Sequence, residues 1–266
     1  MTVSSLKLHY LEWGDPGHPG LLFLHGGSAH AHWFDAVAPA FADRYHVVSL
    51  DQRGHGESEW AKPPTYATEN FSDDLQGLLD GLGWSQAIVV GHSMGGHNAM
   101  AFSAWHPDRV RALVVVDSRP SIPEERLKQM HARGHRALRL HPTREQAVAA
   151  FRLLPRETVA DPRLLAHLAS VGVVGRNGGW VYRFDPECNR SRRPTDTGRL
   201  LSRITAPALV VRGEWSPVLT RDMATRVVET IPTARWVEIA GTYHHLVLDA
   251  PAAFVRALSE FLTSLK

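Results

Sequence analysis

Ser93 stands at the centre of Gly91-His92-Ser93-Met94-Gly95. The apolar run Ala87–Val90 precedes it, and a helix-forming stretch from Gly96 to Trp105 follows. A strand that turns abruptly into a helix holds its apex residue in strained backbone with the side chain projecting. Glycines at 91 and 95 suit that turn, because strand and helix come too close there for side chains. The first N–H groups of the helix lack partners within it and lie at its positive end. A serine held there can serve as a nucleophile if a neighbouring base accepts its proton. His244 and His245 follow the strand-like run Trp236–Ile239 and precede the helix-like stretch Ala252–Leu265. Imidazole titrates near neutrality, which suits it to that task. Directly after another apolar run, His25-Gly26-Gly27 lets backbone N–H groups approach a substrate oxygen; with the N–H of Met94 they would form an oxyanion hole.

These residues need a scaffold that brings them to one place. Leu21–His25, Tyr45–Leu50, Ala87–Val90, Ala112–Asp117, Ala208–Arg212 and Trp236–Ile239 read as strands, and Leu6–Trp13 as an edge strand. Near-continuous apolar runs of this kind suit parallel strands buried on both faces. Phe71–Leu82, Gly96–Trp105, Ser216–Ile231 and Ala252–Leu265 have helical character. The alternation predicts an α/β fold with a doubly wound, mostly parallel sheet. It breaks between residues 118 and 203, a segment too long for an ordinary loop. Pro123–Gly134, Thr143–Leu154 and Asp161–Ala169 look helical there, and Gly178-Gly179-Trp180-Val181-Tyr182-Arg183-Phe184 leads into an Arg-rich stretch. The expected organisation is therefore a core of residues 1–117 and 204–266, with 118–203 as a mainly helical lid over the carboxyl edge of the sheet. The loop Asp51-Gln52-Arg53-Gly54-His55-Gly56-Glu57-Ser58 reads as structural, with Asp51 and Arg53 tying the floor of the site.

Composition narrows the function classes. Of 266 residues, 44% are hydrophobic and 21% charged, an ordinary globular balance. A formal net charge of +2 gives no strong field for nucleic acid or an anionic membrane. A single cysteine, Cys188, excludes an internal disulfide framework and suits a reducing compartment. No apolar run approaches the roughly 20 residues that span a bilayer, and the N-terminus has no secretory pattern. A cytoplasmic protein is expected, with a small-molecule substrate and no nucleic-acid or membrane partner. No metal-ligand spacing or phosphate loop is present, so no metal and no cofactor is expected.

Taken together, His25-Gly26-Gly27, Asp51 to Ser58, Gly91 to Gly96 and the closing His-x-x-x-x-Asp-x-Pro around His244 resemble the α/β-hydrolase fold superfamily over essentially the whole chain. The resemblance implies Ser93 as nucleophile and the N–H groups of Gly27 and Met94 as oxyanion donors. In similar proteins the catalytic histidine lies seven residues before the proline of the last helix, which from Pro251 selects His244 over His245. The acid departs from the commonest pattern. Its usual position, in the turn Gly213-Glu214-Trp215-Ser216, holds a serine here. Some members of the fold carry the acid at the end of the strand beside the nucleophile strand, which selects Asp117, ahead of Glu214 and Asp222.

The activity so implied is a serine hydrolase cleaving an ester, amide, lactone or carbon–carbon bond through an acyl-enzyme. A serine at the elbow argues against the epoxide hydrolases and haloalkane dehalogenases of the fold, which use aspartate there. An acyltransferase or perhydrolase would use the same serine, and a non-catalytic ligand receptor would not need it. Within the lid, Trp180, Tyr182, Phe184, Arg152, Arg176 and Arg183 are the expected substrate-binding residues. Arginines there would suit a small carboxylated or aromatic metabolite.

Overall fold

The computed structural model describes residues 1–3 and 5–265. Seven strands form the main sheet: β1 (Tyr10–Trp13), β2 (Gly20–Leu24), β3 (His46–Leu50), β4 (Ala87–His92), β5 (Val110–Val116), β6 (Ala208–Gly213) and β7 (Ala234–Ile239). Their spatial order is β7-β6-β5-β4-β2-β3-β1. All neighbours are parallel except β1, which pairs antiparallel with β3 at the edge. The sequence reversal at β4 and β2 makes this a doubly wound sheet.

Successive side chains of a strand point to opposite faces, and here both faces are covered. Leu22, Leu24, Val89, Leu113, Val115 and Val210 pack to one side with Leu75, Leu78, Met100 and Phe102. Leu21, Phe23, Ile88, Val90, Val114 and Val211 pack to the other with Phe34, Phe254 and Leu258. The covering helices include α1 (Thr68–Gly81) and α2 (Met94–Trp105) on the first side and the C-terminal Pro251–Ser264 on the second. Burial on both faces explains why these strands read as unbroken apolar runs.

Register then aligns the carboxyl ends of the strands. Leu24 pairs with both Leu50 and Gly91, Gly91 with Val115, Val116 with Val211, and Gly213 with Ile239. The chain leaves that single edge at Gly27, Asp51, Ser93, Asp117, Ser216 and His244.

Three elements differ from the sequence expectation, one of them Thr143–Leu154, which is helical only over Arg144–Ala149. Leu6–Trp13 is divided: Leu6–Lys7 pairs with Thr2–Val3, and only Tyr10–Trp13 joins the main sheet. The stretch Ser216–Ile231 becomes helical only at Arg221, after Pro217 and with the Thr220 hydroxyl accepting from the Met223 N–H at 3.3 Å. Residues 118–203 lie between β5 and β6 in the chain. They contain α3 (Glu124–Gly134), the shorter helices Arg144–Ala149, Pro162–Val171 and Glu187–Arg190, and a hairpin of Val173–Arg176 with Gly179–Tyr182. The segment returns to the core where Arg192–Arg193 pairs in parallel with Tyr66–Ala67. No helix among the described residues is long and apolar enough to cross a membrane.

Candidate active site

Ser93 sits between β4 and α2 with φ 53° and ψ −116°, a left-handed conformation costly for any residue with a Cβ. The surroundings hold it there. Its N–H donates to Val116 O at 2.9 Å, and its carbonyl accepts from His97 N at 3.0 Å. A Cβ on Gly91 would lie 2.3 Å from the Gly95 carbonyl oxygen, and one on Gly95 would lie 2.2 Å from that of Leu24. Neither position tolerates a side chain, so the glycines on both sides of Ser93 are what permit the bend.

His244 follows β7 and is 3% exposed. Its Nε2 lies 3.0 Å from Ser93 Oγ, and its Nδ1 lies 2.9 Å from Asp117 Oδ1. With Nδ1–H donating to the carboxylate, Nε2 is free to accept the serine proton. His92 donates from Nε2 to the His244 carbonyl at 2.9 Å, which ties the histidine loop to β4. His245 points elsewhere: its Nε2 donates to Pro155 O at 3.0 Å, and its ring meets Trp33 edge-on.

Asp117 ends β5 with φ 45° and is fully buried. Besides His244 it accepts from Gly213 N at 2.9 Å and from Ser216 Oγ at 2.5 Å. Ser216 therefore occupies the turn where a carboxylate is commoner and donates instead to the carboxylate of the adjoining strand. Glu214 is exposed and accepts from Gly241 N at 2.8 Å, while Asp222 lies exposed in the first turn of Arg221–Thr230. Neither meets His244. Burial drives the Asp117 pKa up to about 6, against the pull of the Ser216 and Gly213 donors. Burial drives that of His244 well below its ordinary value, and the positive charges of Arg119 and Arg126 act in the same direction. At neutral pH the pair is an uncharged imidazole against an ionised carboxylate.

Gly27 and Met94 both line the cavity that opens above Ser93. Met94 is the first residue of α2, whose leading N–H groups have no acceptor within the helix. Gly26 packs against the elbow, where a Cβ would lie 3.2 Å from that of Ser93. The loop after β3 is structural in its bonding. Asp51 accepts from Ala31 N, His9 Nδ1 and Glu57 N at 2.6, 2.7 and 2.9 Å, and its carboxyl is held down at about 2. Arg53 grips Asp74 through Nε and Nη2 at 2.6 and 2.7 Å.

The cavity holds about 190 Å³ and contains Ser93, His244 and, from the 118–203 segment, Phe184 and four other arginines than those expected. Arg152, Arg176, Arg183, Trp180 and Tyr182 are not brought to it. Arg152 is exposed and donates to the nearby carbonyls of Ala149 and Phe151. Arg176 stacks 3.7 Å over Trp60, and Arg183 pairs with Glu57 at 3.3 Å, both on an outer groove. Trp180 bridges to His141 in the hairpin, and the Tyr182 hydroxyl donates to Ala147 O at 2.8 Å. The hairpin turns these side chains away because its strands pair with each other and pack on Arg144–Ala149. The arginines that do line the cavity are Arg119, Arg126, Arg133 and Arg192. On α3, Arg126, Met130 and Arg133 follow the i, i+4, i+7 spacing of one helix face, a signal the sequence carried. For Arg192 no local pattern distinguished it from its Arg-rich neighbours.

Comparison with known proteins places this architecture. The family model for the alpha/beta hydrolase fold matches residues 19–251. The 2-(acetamidomethylene)succinate hydrolase of Mesorhizobium japonicum is 29% identical, over 98% of this chain and 94% of the relative. The 3-oxoadipate enol-lactonase 2 of Acinetobacter baylyi is 27% identical, over 97% and 94%. Among solved structures, an E-2-(acetamidomethylene)succinate hydrolase superposes with a TM-score of 0.87 at 26% identity, covering 98% of this chain and 97% of the other. With a doubly wound sheet, a serine elbow and a family match over most of its length, the chain belongs to the α/β hydrolase fold family of hydrolases.

Proposed function

We propose that the protein is a serine hydrolase that cleaves an acyl bond of a small substrate through an acyl-enzyme on Ser93. The observation that carries this reading is the continuous hydrogen-bonded line from Ser93 Oγ to His244 Nε2 and from His244 Nδ1 to Asp117, at 3.0 and 2.9 Å. Ser93 Oγ attacks the carbonyl carbon as its proton passes to His244 Nε2. Asp117 keeps Nδ1 protonated and stabilises the imidazolium that forms. The carbonyl oxygen becomes an oxyanion held by the N–H groups of Gly27 and Met94, each worth about 3 kcal/mol in the transition state. Collapse breaks the acyl bond, and His244 returns its proton to the leaving group. A water then attacks the acyl-serine with His244 again as base, releasing the acid and restoring Ser93. The 118–203 segment acts as the lid that sets substrate choice, since it contributes all four arginines that line the cavity over Ser93. The relatives' substrates, a succinate derivative and an oxoadipate enol-lactone, are consistent with a small acyl substrate.

Labelling with a fluorophosphonate probe, together with hydrolysis of 4-nitrophenyl hexanoate, tests the reading. Ser93→Ala should abolish labelling and cut ester turnover by about 10⁶-fold. Full turnover by a folded Ser93→Ala protein would sink it.

A further inference from the structure

The cavity above Ser93 is one-sided in charge: four arginines line it and no aspartate or glutamate does. Arg126 is exposed, Arg119 donates to Val218 O at 2.9 Å, and Arg133 is half-buried with its Nε unpaired. Arg192 is different. It is 2% exposed, its guanidinium makes one hydrogen bond, from Nη2 to Asn98 Oδ1 at 3.0 Å, and its Nε and Nη1 have no partner. A buried cation without a counter-ion carries a desolvation penalty that neutral hydrogen bonds offset only in part and an anion would offset further.

The side chain is nevertheless firmly placed. Its backbone pairs with Tyr66, and the guanidinium lies 4.7 Å over the ring of Phe71. Asn98 presents its oxygen because its own amide donates to Gln52 Oε1 at 2.8 Å, and Gln52 in turn donates to His25 O at 2.7 Å. Every partner in that chain is neutral, so the network orients the guanidinium without neutralising it. His97, buried beside Arg192, has neither ring nitrogen paired and supplies no negative charge. Asn98 lies five residues beyond Ser93, a rise of about 7.5 Å along α2, comparable to a short acyl chain.

We propose that Arg192 is the carboxylate-binding residue of the acyl pocket, and that the substrate carries a carboxylate a few bonds from its scissile carbonyl. This rests on the serine hydrolase reading of the same site. The bound carboxylate supplies the missing counter-ion, and a planar guanidinium with free donors on two nitrogens fits it. Arg126 and Arg133, on the cavity face of α3, draw the anion to the mouth. A neutral acyl chain of the same length would leave Arg192 unpaired and be turned over less well.

Mono-4-nitrophenyl adipate and 4-nitrophenyl hexanoate share acyl length and leaving group and differ in the terminal carboxylate. The wild-type protein should show at least about tenfold higher kcat/KM for the adipate ester, in line with one charge-assisted contact. That ratio should fall about tenfold or more in Arg192→Met, and less in Arg192→Lys, which keeps the charge but loses the fork. A ratio is insensitive to general losses of fold or nucleophile. Binding of adipate to Ser93→Ala, followed by calorimetry, should be lost when Arg192→Met is added. This arm involves no bond cleavage, so adipate binding through Arg192 in a protein that hydrolyses neither ester would sink the hydrolase reading alone. Equal or better hydrolysis of the hexanoate ester by the wild type, or an Arg192→Met ratio equal to the wild type's, overturns the proposal. If neither variant folds, the wild-type ratio decides.

Discussion

Arg53 and Arg192 are both buried guanidinium groups, at 6% and 2% exposure, yet they are satisfied in opposite ways. In the core, Arg53 binds Asp74 through two nitrogens and the Thr65 carbonyl and hydroxyl through a third. At the cavity, Arg192 meets one neutral amide and keeps two nitrogens unpaired. The carboxylates follow the first pattern: Asp51 and Asp117 are each surrounded by donors. Groups that hold the loops after the strands find all their partners within the chain. The group facing the cavity keeps donors that no residue of the chain accepts. The difference separates residues that build the site from those that receive what enters it.

The largest expected effect bears on the saturated side. Asp117→Asn should lower kcat by about 10⁴-fold, because the amide favours the wrong imidazole tautomer. Steady-state kinetics on 4-nitrophenyl hexanoate check this, and a loss of less than tenfold would remove Asp117 from the role given above. Next, Arg53→Met should cost roughly 3–5 kcal/mol of stability in urea unfolding, since Asp74 would be left buried and unpaired. Arg192→Met strands no carboxylate and should cost clearly less. Equal losses would erase the contrast between the two arginines.

A third measurement is acidification. His25, His30, His55, His92, His97, His244 and His245 are all held below the ordinary imidazole value by burial. Between the unfolded value of about 6.5 and their lower folded values, the unfolded chain binds more protons, so stability falls as pH falls through this window. Asp117, raised to about 6, opposes this between about pH 4 and 6, and the likewise raised Asp74 and His32 act with it, as three groups against seven. The melting temperature should therefore drop from pH 7 to pH 5. The acid limb of kcat/KM, which requires His244 as free base, should lie below pH 6.5. An acid limb above that value would contradict the buried, uncharged imidazole. The smallest effect expected is that of Glu214→Gln, which should leave turnover within about threefold, since its exposed carboxylate meets only Gly241 N.

Much of this site was legible because its residues lie just beyond strands whose apolar runs are unmistakable. Ser93 is announced by the flanking glycines, and His244 by its spacing from Pro251. Asp117 directly follows Val110–Val116, so its position is legible once the strand is recognised, and the serine at 216 leaves the acid's place to the neighbouring strand end. The lid arginines were less legible. Helix α3 carries a periodicity that selects Arg126 and Arg133, but in the irregular stretch around Arg192 no periodicity says which side chain turns inward. The hairpin and the residue after it carry Arg176 and Arg183 to the outer groove, while Arg152 turns to the nearby carbonyls of Ala149 and Phe151.

The sequence by itself determined the doubly wound sheet and the order of Ser93, Asp117 and His244 along it, because buried parallel strands and tight turns constrain residue type locally. Only the tertiary structure decided that Ser216 donates to Asp117, that His245 turns to Pro155, and that Arg192 alone among the arginines is buried without a counter-ion. Those outcomes depend on contacts between segments separated by 90 to 99 residues, where local propensity carries no information and burial and hydrogen-bond satisfaction choose.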